Sequence, residues 1–88
     1  MNKHFVEFCD LDNLFLFTKI LNKEIRSEVT ASYDRFVIDA KSFVGMISIY
    51  AHPITLEIIS DNTDEIRKFN DICKKYCPAQ GEQWNNGL

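Results

Sequence analysis

Chemistry in this 88-residue chain can rest on few side chains: Cys9, Cys73 and Cys77, His4 and His52, the pair Asp10 and Asp12, and Ser42 ahead of a short apolar run. Cys73 and Cys77 lie four apart, which on a helix puts two thiols on one face. Two thiolates are half of a tetrahedral zinc site, and no CxxC or His pair elsewhere completes it. Cys73 is therefore expected in the core and Cys77 at a helix end, with no metal and no other cofactor. Cys9 has neither histidine nor arginine beside it to lower its thiol pKa, so it reads as a buried structural cysteine.

His4 falls on the apolar side of an alternating run, where a packed or edge histidine is expected. His52 precedes Pro53 in a turn and is expected in solvent; neither has the clustered partners that metal or phosphoryl chemistry needs. Asp10 and Asp12 could accept a phosphoryl group as an acyl phosphate. That chemistry wants balancing cations, and no lysine or arginine stands nearby in sequence, so helix capping is the stronger reading. No catalytic residue is assigned, and the chain is expected not to be an enzyme.

These residues must be held by a single small core, because 88 residues with 45% apolar content suffice for one domain and not two. Charged residues make up 26% and the formal net charge is -3, so no basic excess draws the chain to nucleic acid or anionic lipid. No run reaches the roughly 18 apolar residues a membrane span requires. The N-terminus lacks a signal-like apolar region and the cysteine count is odd, so a reducing cytoplasm is the expected location.

Residues 3–8 alternate with His4, Val6 and Phe8 on one side, the period of a strand. Asp10 or Asp12 then caps a helix from 11 to about 24, with Leu14, Phe17, Leu21 and Ile25 at helical spacing and Leu11, Phe15 and Ile20 widening the stripe. Strands at 26–33 and 36–40 form a hairpin across Asp34-Arg35, a turn without glycine. Ser42 opens a short helix to about residue 50, in which Met46 and Ile49 share a face and Gly45 leaves room for a close backbone approach. Ile54, Leu56 and Ile58 mark a fourth strand. Asn62 with Glu65 three positions on resembles a capping box, and Ile66, Phe69, Ile72, Cys73 and Tyr76 stripe a last helix that Pro78 ends.

The order β-α-β-β-α-β-α predicts an α+β fold, a two-layer open-faced sandwich in which a four-stranded antiparallel sheet carries three helices on one face. The domain spans 1–78 and a polar tail 79–88. A ferredoxin-like βαββαβ unit with an added helix, serving structure or oligomerisation, is the alternative from the same order. Strand order separates the two.

The element order, the length and the segment Lys41-Ser42-x-x-Gly45-x-x-Ser48 together resemble HPr, the small phosphocarrier of the bacterial sugar phosphotransferase system. The likeness covers residues 3 to 77 in layout and is concentrated in 36–50. It implies that Ser42 is the target of a regulatory kinase and that apolar side chains of its helix, Phe43, Val44 and Ile47, form a surface for a protein partner. The family carries Gly-x-His-x-Arg-Pro between its first strand and first helix; this chain has Phe8-Cys9-Asp10-Leu11-Asp12-Asn13.

A phosphohistidine carrier needs an imidazole to attack phosphorus, with helix amides and an arginine to hold the phosphoryl oxygens. Two aspartates there repel an incoming dianion, by about 4 kcal/mol for one pair of unit charges at about 4 Å and an effective dielectric near 20. The expectation is an HPr-like protein without the phosphocarrier histidine, a regulatory or protein-binding module; a carrier using a different nucleophile is the alternative. Two readings stay open at the second helix. Ser42 is a switch or only an N-cap, and Phe43, Val44 and Ile47 face a partner or lie beneath Trp84 and Leu88 of the tail.

Overall fold

In a computed structural model of the chain, residues 2–8 and 10–76 are described; Cys9, Cys77 and the tail with Trp84 and Leu88 lie outside them. The first element, β1 (Lys3–Val6), leads into the helix α1 (Leu11–Glu24), and β2 (Glu28–Tyr33) pairs with β3 (Phe36–Asp39) as a hairpin. The short helix α2 (Phe43–Ile47), the strand β4 (Ile54–Ile59) and the helix α3 (Thr63–Tyr76) complete the order. The sheet runs β1-β4-β2-β3 with every neighbouring pair antiparallel. The expected open-faced sandwich is thus the fold. Its first strand sits at a sheet edge, whereas a ferredoxin-like unit holds its first strand inside.

Period-2 patterning decides which side of the sheet is covered. Val6, Val29, Ala31, Ile54, Leu56 and Ile58 are buried on the helix side, against Leu14, Phe17 and Leu21 of α1 and Phe69, Ile72 and Cys73 of α3. The opposite side is open to solvent along the polar row Lys3, Glu57, Thr30 and Asp39. His4 lies on the covered side as expected. Its Nε2 is 2.7 Å from Asn70 Oδ1, and its ring meets Phe69 edge-on at 5.5 Å.

α1 begins where Asp10 Oδ1 accepts the Asn13 N–H at 2.8 Å, so Asp10 is the cap and Asp12 belongs to the first turn. The core stripe of α1 is narrower than its sequence suggests. Leu11 and Phe15 are more than 40% exposed, because α2, only five residues long, covers Phe15 with one ring and leaves Leu11 to solvent. Thr18 is buried instead, its hydroxyl satisfied by the Phe15 carbonyl at 3.0 Å.

The hairpin across Asp34-Arg35 forms as expected, and two other local expectations are modified. The hairpin turns without glycine because Asp34 takes the left-handed region at φ 57°, a conformation aspartate tolerates better than most residues. α2 ends at Ile47, and the chain reaches residue 52 through tight turns in which the N–H groups of Ser48, Ile49 and His52 bond three residues back. Gly45 does not serve a backbone approach: a Cβ there would lie 3.3 Å from Ser42 Oγ and 3.6 Å from Ile38 Cδ1, both side-chain atoms.

The capping box at α3 is half formed. Asn62 Oδ1 accepts the N–H groups of Asp64 and Glu65, but Glu65 does not return the bond. Its Oε1 accepts instead from Arg26 N–H at 2.9 Å, Ser27 N–H at 2.8 Å and Ser27 Oγ at 2.9 Å, tying α3 to the approach to β2. The Ser27 backbone donor holds the Glu65 carboxyl below its ordinary value, with the Ser27 hydroxyl, the Arg26 N–H and Lys68 pulling the same way against partial desolvation. A lowered folded pKa means stability that is present above the unfolded value and lost as pH falls through the folded one. Glu65→Gln is therefore expected to lower stability at neutral pH and to flatten its decline in acid, by less than any core truncation. Chemical denaturation across an acid pH series checks this; an unchanged acid slope would refute it.

Candidate functional site

α2 is placed at its N-terminal flank by two polar ties to α1, both through Lys41. Lys41 Nζ donates to the Ile25 carbonyl at the end of α1 at 2.7 Å, and Asn22 Nδ2 donates to the Lys41 carbonyl at 2.8 Å. Further along, the rings of Phe15 and Phe43 meet at 5.2 Å and 74°, an edge-to-face contact. Asn22 beside Lys41 and Phe15 against Phe43 mean that the two helices run in opposite directions. One turn onward from the ring pair, Leu11 of α1 and Ile47 of α2 therefore point toward the same end.

Met46 and Ile49 are buried, as their shared face predicts, which turns the rest of the helix outward. Val44 is 80% exposed and Ile47 42%. Phe43 is half-buried rather than fully outward, because its ring leans on Phe15. Leu11, Phe15 and Leu16 of α1, which sequence periodicity did not assign to any surface, are exposed as well, and Phe15 and Leu16 meet Phe43 across α1 and α2 in one apolar face. An open groove of about 670 Å³ adjoins it, lined by Phe15, Leu16 and Phe43 and bordered by Lys19, Lys23 and Lys41. The Lys19 ammonium lies 5.3 Å from the Phe15 ring centroid, a cation over an aromatic face.

Ser42 sits at the rim of this face. It is the N-cap of α2, in extended conformation, with Oγ accepting the Gly45 N–H at 3.1 Å. A hydroxyl cap of this kind is worth about 1 kcal/mol to its helix. A phosphate on the same oxygen would meet amide N–H groups that already point toward it.

The remaining sequence candidates are not brought together. Cys73 is buried in the core, and Cys9 and Cys77 lie outside the described residues. His4 is bound to α3, while His52 is exposed and stacks on Tyr33 at 4.2 Å with the rings 5° from parallel. Asp10 is occupied with capping. Among the described residues no group of three or more His, Cys, Asp or Glu side chains is placed to hold a metal. No helix among them is long and apolar enough to cross a membrane.

No protein-family model matches the chain, and no curated protein or solved structure is significantly similar to it.

Proposed function

We propose that this chain is an HPr-like protein-docking module that has kept the scaffold and lost the phosphoryl-carrying histidine. The observation that carries this reading is the exposure of Val44 and Ile47 on α2 and of Phe15 and Leu11 on the neighbouring α1, whose start holds Asp10 as cap and Asp12 in the first turn where a carrier needs histidine and arginine. An exposed face of clustered large apolar side chains on one side of a small domain is characteristic of protein recognition. The lysines along the groove favour a partner that brings acidic side chains around an apolar centre. The protein acts in a bacterial cytoplasm, as a binding partner and not as an enzyme. Ser42, at the rim of the face, is the position at which a regulatory kinase would change its charge.

Two labelling experiments separate this reading from its competitors. Incubation with the phosphotransferase system's first enzyme and labelled phosphoenolpyruvate is expected to leave the protein unlabelled; an acid-labile phosphoryl adduct would make it a carrier with another nucleophile. Incubation with an HPr kinase and ATP is expected to label the wild type and not Ser42→Ala. Absence of label in both would remove the switch and leave Ser42 as a cap alone.

A further inference from the structure

We propose that the C-terminal segment of this chain, residues 77–88, occupies the groove between α1 and α2, with Trp84 against Phe15 and Phe43 and Glu82 among the bordering lysines. The segment leaves α3 beside that groove. Asn13 Nδ2 donates to the Tyr76 carbonyl at 2.9 Å, which pins the end of α3 to the first turn of α1. At about 100° per residue, Leu16 and then Lys19 follow Asn13 around the solvent side of α1 and lead to Phe15. Trp84 is the eighth residue past Tyr76, so a chain extended at about 3.3 Å per residue carries it up to about 26 Å, more than twice the roughly 10 Å across a helix. Reach is ample, and the path crosses Leu16, a leucine left 50% exposed on the outside of a helix.

Charge selects this occupant. Lys19, Lys23 and Lys41 border the groove, and none has a carboxylate partner among the described residues. Residues 77–88 contain Glu82 and neither lysine nor arginine. Glu82 and Trp84 fall on the same side of an extended chain about 7 Å apart, close to the 5.3 Å that separates the Lys19 ammonium from the Phe15 ring centroid. An acid and an indole at that spacing meet a cation and a phenyl ring, and Trp84 adds a third ring to the edge-to-face pair of Phe15 and Phe43.

The open side of the sheet, where Phe5 and Val37 are exposed, is the competing surface. Their row holds Thr55 and Ser32, and the strand cation beside it, Lys3, already faces Glu57, so Glu82 gains nothing there. In the groove the segment stands where the lysines would meet an acidic partner, and it must leave before such a partner covers them. That consequence rests on the docking reading; the contact itself does not, and is measured without any partner.

Trp84 is the one tryptophan of the chain, so its fluorescence reports the contact directly. In the folded wild type its emission is expected at shorter wavelength than in urea, with acrylamide quenching suppressed. Leu16→Asp, verified as folded by thermal melting, is expected to lose both effects, since a carboxylate then faces the indole. Lys19→Glu with Lys23→Glu is expected to weaken the shielding by repelling Glu82, and adding Glu82→Lys to restore it. Phe5→Asp is expected to change neither effect. Wild-type emission that matches the urea value, shielding unaltered in Leu16→Asp, absence of rescue by Glu82→Lys, or shielding lost with Phe5→Asp alone would each overturn the proposal. Shielding that fades on dilution would also overturn it, by assigning the groove to the segment of a second copy. None of these outcomes bears on docking by Val44 and Ile47, which lie outside the groove.

Discussion

Phe17→Ala is expected to destabilise the protein by about 3–5 kcal/mol, the range for deleting a fully buried phenyl ring. Phe17 has no exposed surface; its ring packs on Phe8 at 5.2 Å, and it belongs to one continuous core with Val29, Leu56 and Phe69. The elements around it cannot collapse freely into the void. α1 is tied at its start by Asn13 Nδ2 donating to the Tyr76 carbonyl at 2.9 Å, and at its end by Lys41 Nζ.

Domains of this size have total stabilities toward the lower part of roughly 5–15 kcal/mol, so one substitution removes a large share. A melting temperature lowered by about 15–30 °C is the readout. Phe5→Ala, on the open side of the sheet, is the control and should change stability by less than about 0.5 kcal/mol. A loss below about 1.5 kcal/mol for Phe17→Ala would contradict the described core.

Val44→Asp with Ile47→Asp is expected to abolish partner binding while leaving the domain folded. Neither side chain belongs to the buried core, and both extend from the solvent side of α2. A carboxylate at either position stays hydrated in the free protein, and becomes buried and unpaired against an apolar partner. Central interface residues each contribute about 2 kcal/mol or more, and about 1.4 kcal/mol is a factor of ten in affinity. Two such losses together weaken binding by about three orders of magnitude. Phe43→Asp is the poorer probe, since it also removes the contact with Phe15. Equal melting temperatures for wild type and double variant, alongside lost binding, distinguish a surface effect from unfolding.

Much of this architecture is legible in the sequence because it rests on local rules. The spacing of Leu14, Phe17, Leu21 and Ile25 defines the buried stripe of α1, all four being buried. Asp10 and Ser42 are capping residue types at positions where a cap is needed, and both bond the N–H three residues on. Alternation at Ile54, Leu56 and Ile58 is the buried face of β4.

What was not legible depends on elements distant in sequence. Leu11 and Phe15 have the type and near-spacing of core residues, and their exposure is set by the length of α2, which their own periodicity does not encode. Glu65 has the spacing of a capping box, yet its carboxylate goes to Ser27, a tertiary contact with no local signal. Strand order is invisible to period-2 patterning, and with it the position of β3 at an edge. At the candidate site, Val44 and Ile47 follow from the opposite face of Met46 and Ile49. The contribution of α1 and the lysine-bordered groove follows only from how two helices cross.

The most direct measurement of docking is affinity capture from a host-cell extract with three baits: wild type, Val44→Asp with Ile47→Asp, and Phe5→Asp on the open side of the sheet. Quantitative mass spectrometry identifies what each retains, and binding of the recovered protein is then repeated with purified components. Docking on the α1–α2 face predicts one partner retained by wild type and by Phe5→Asp and lost by the double variant. A partner held equally by all three baits, or lost only with Phe5→Asp, would contradict it.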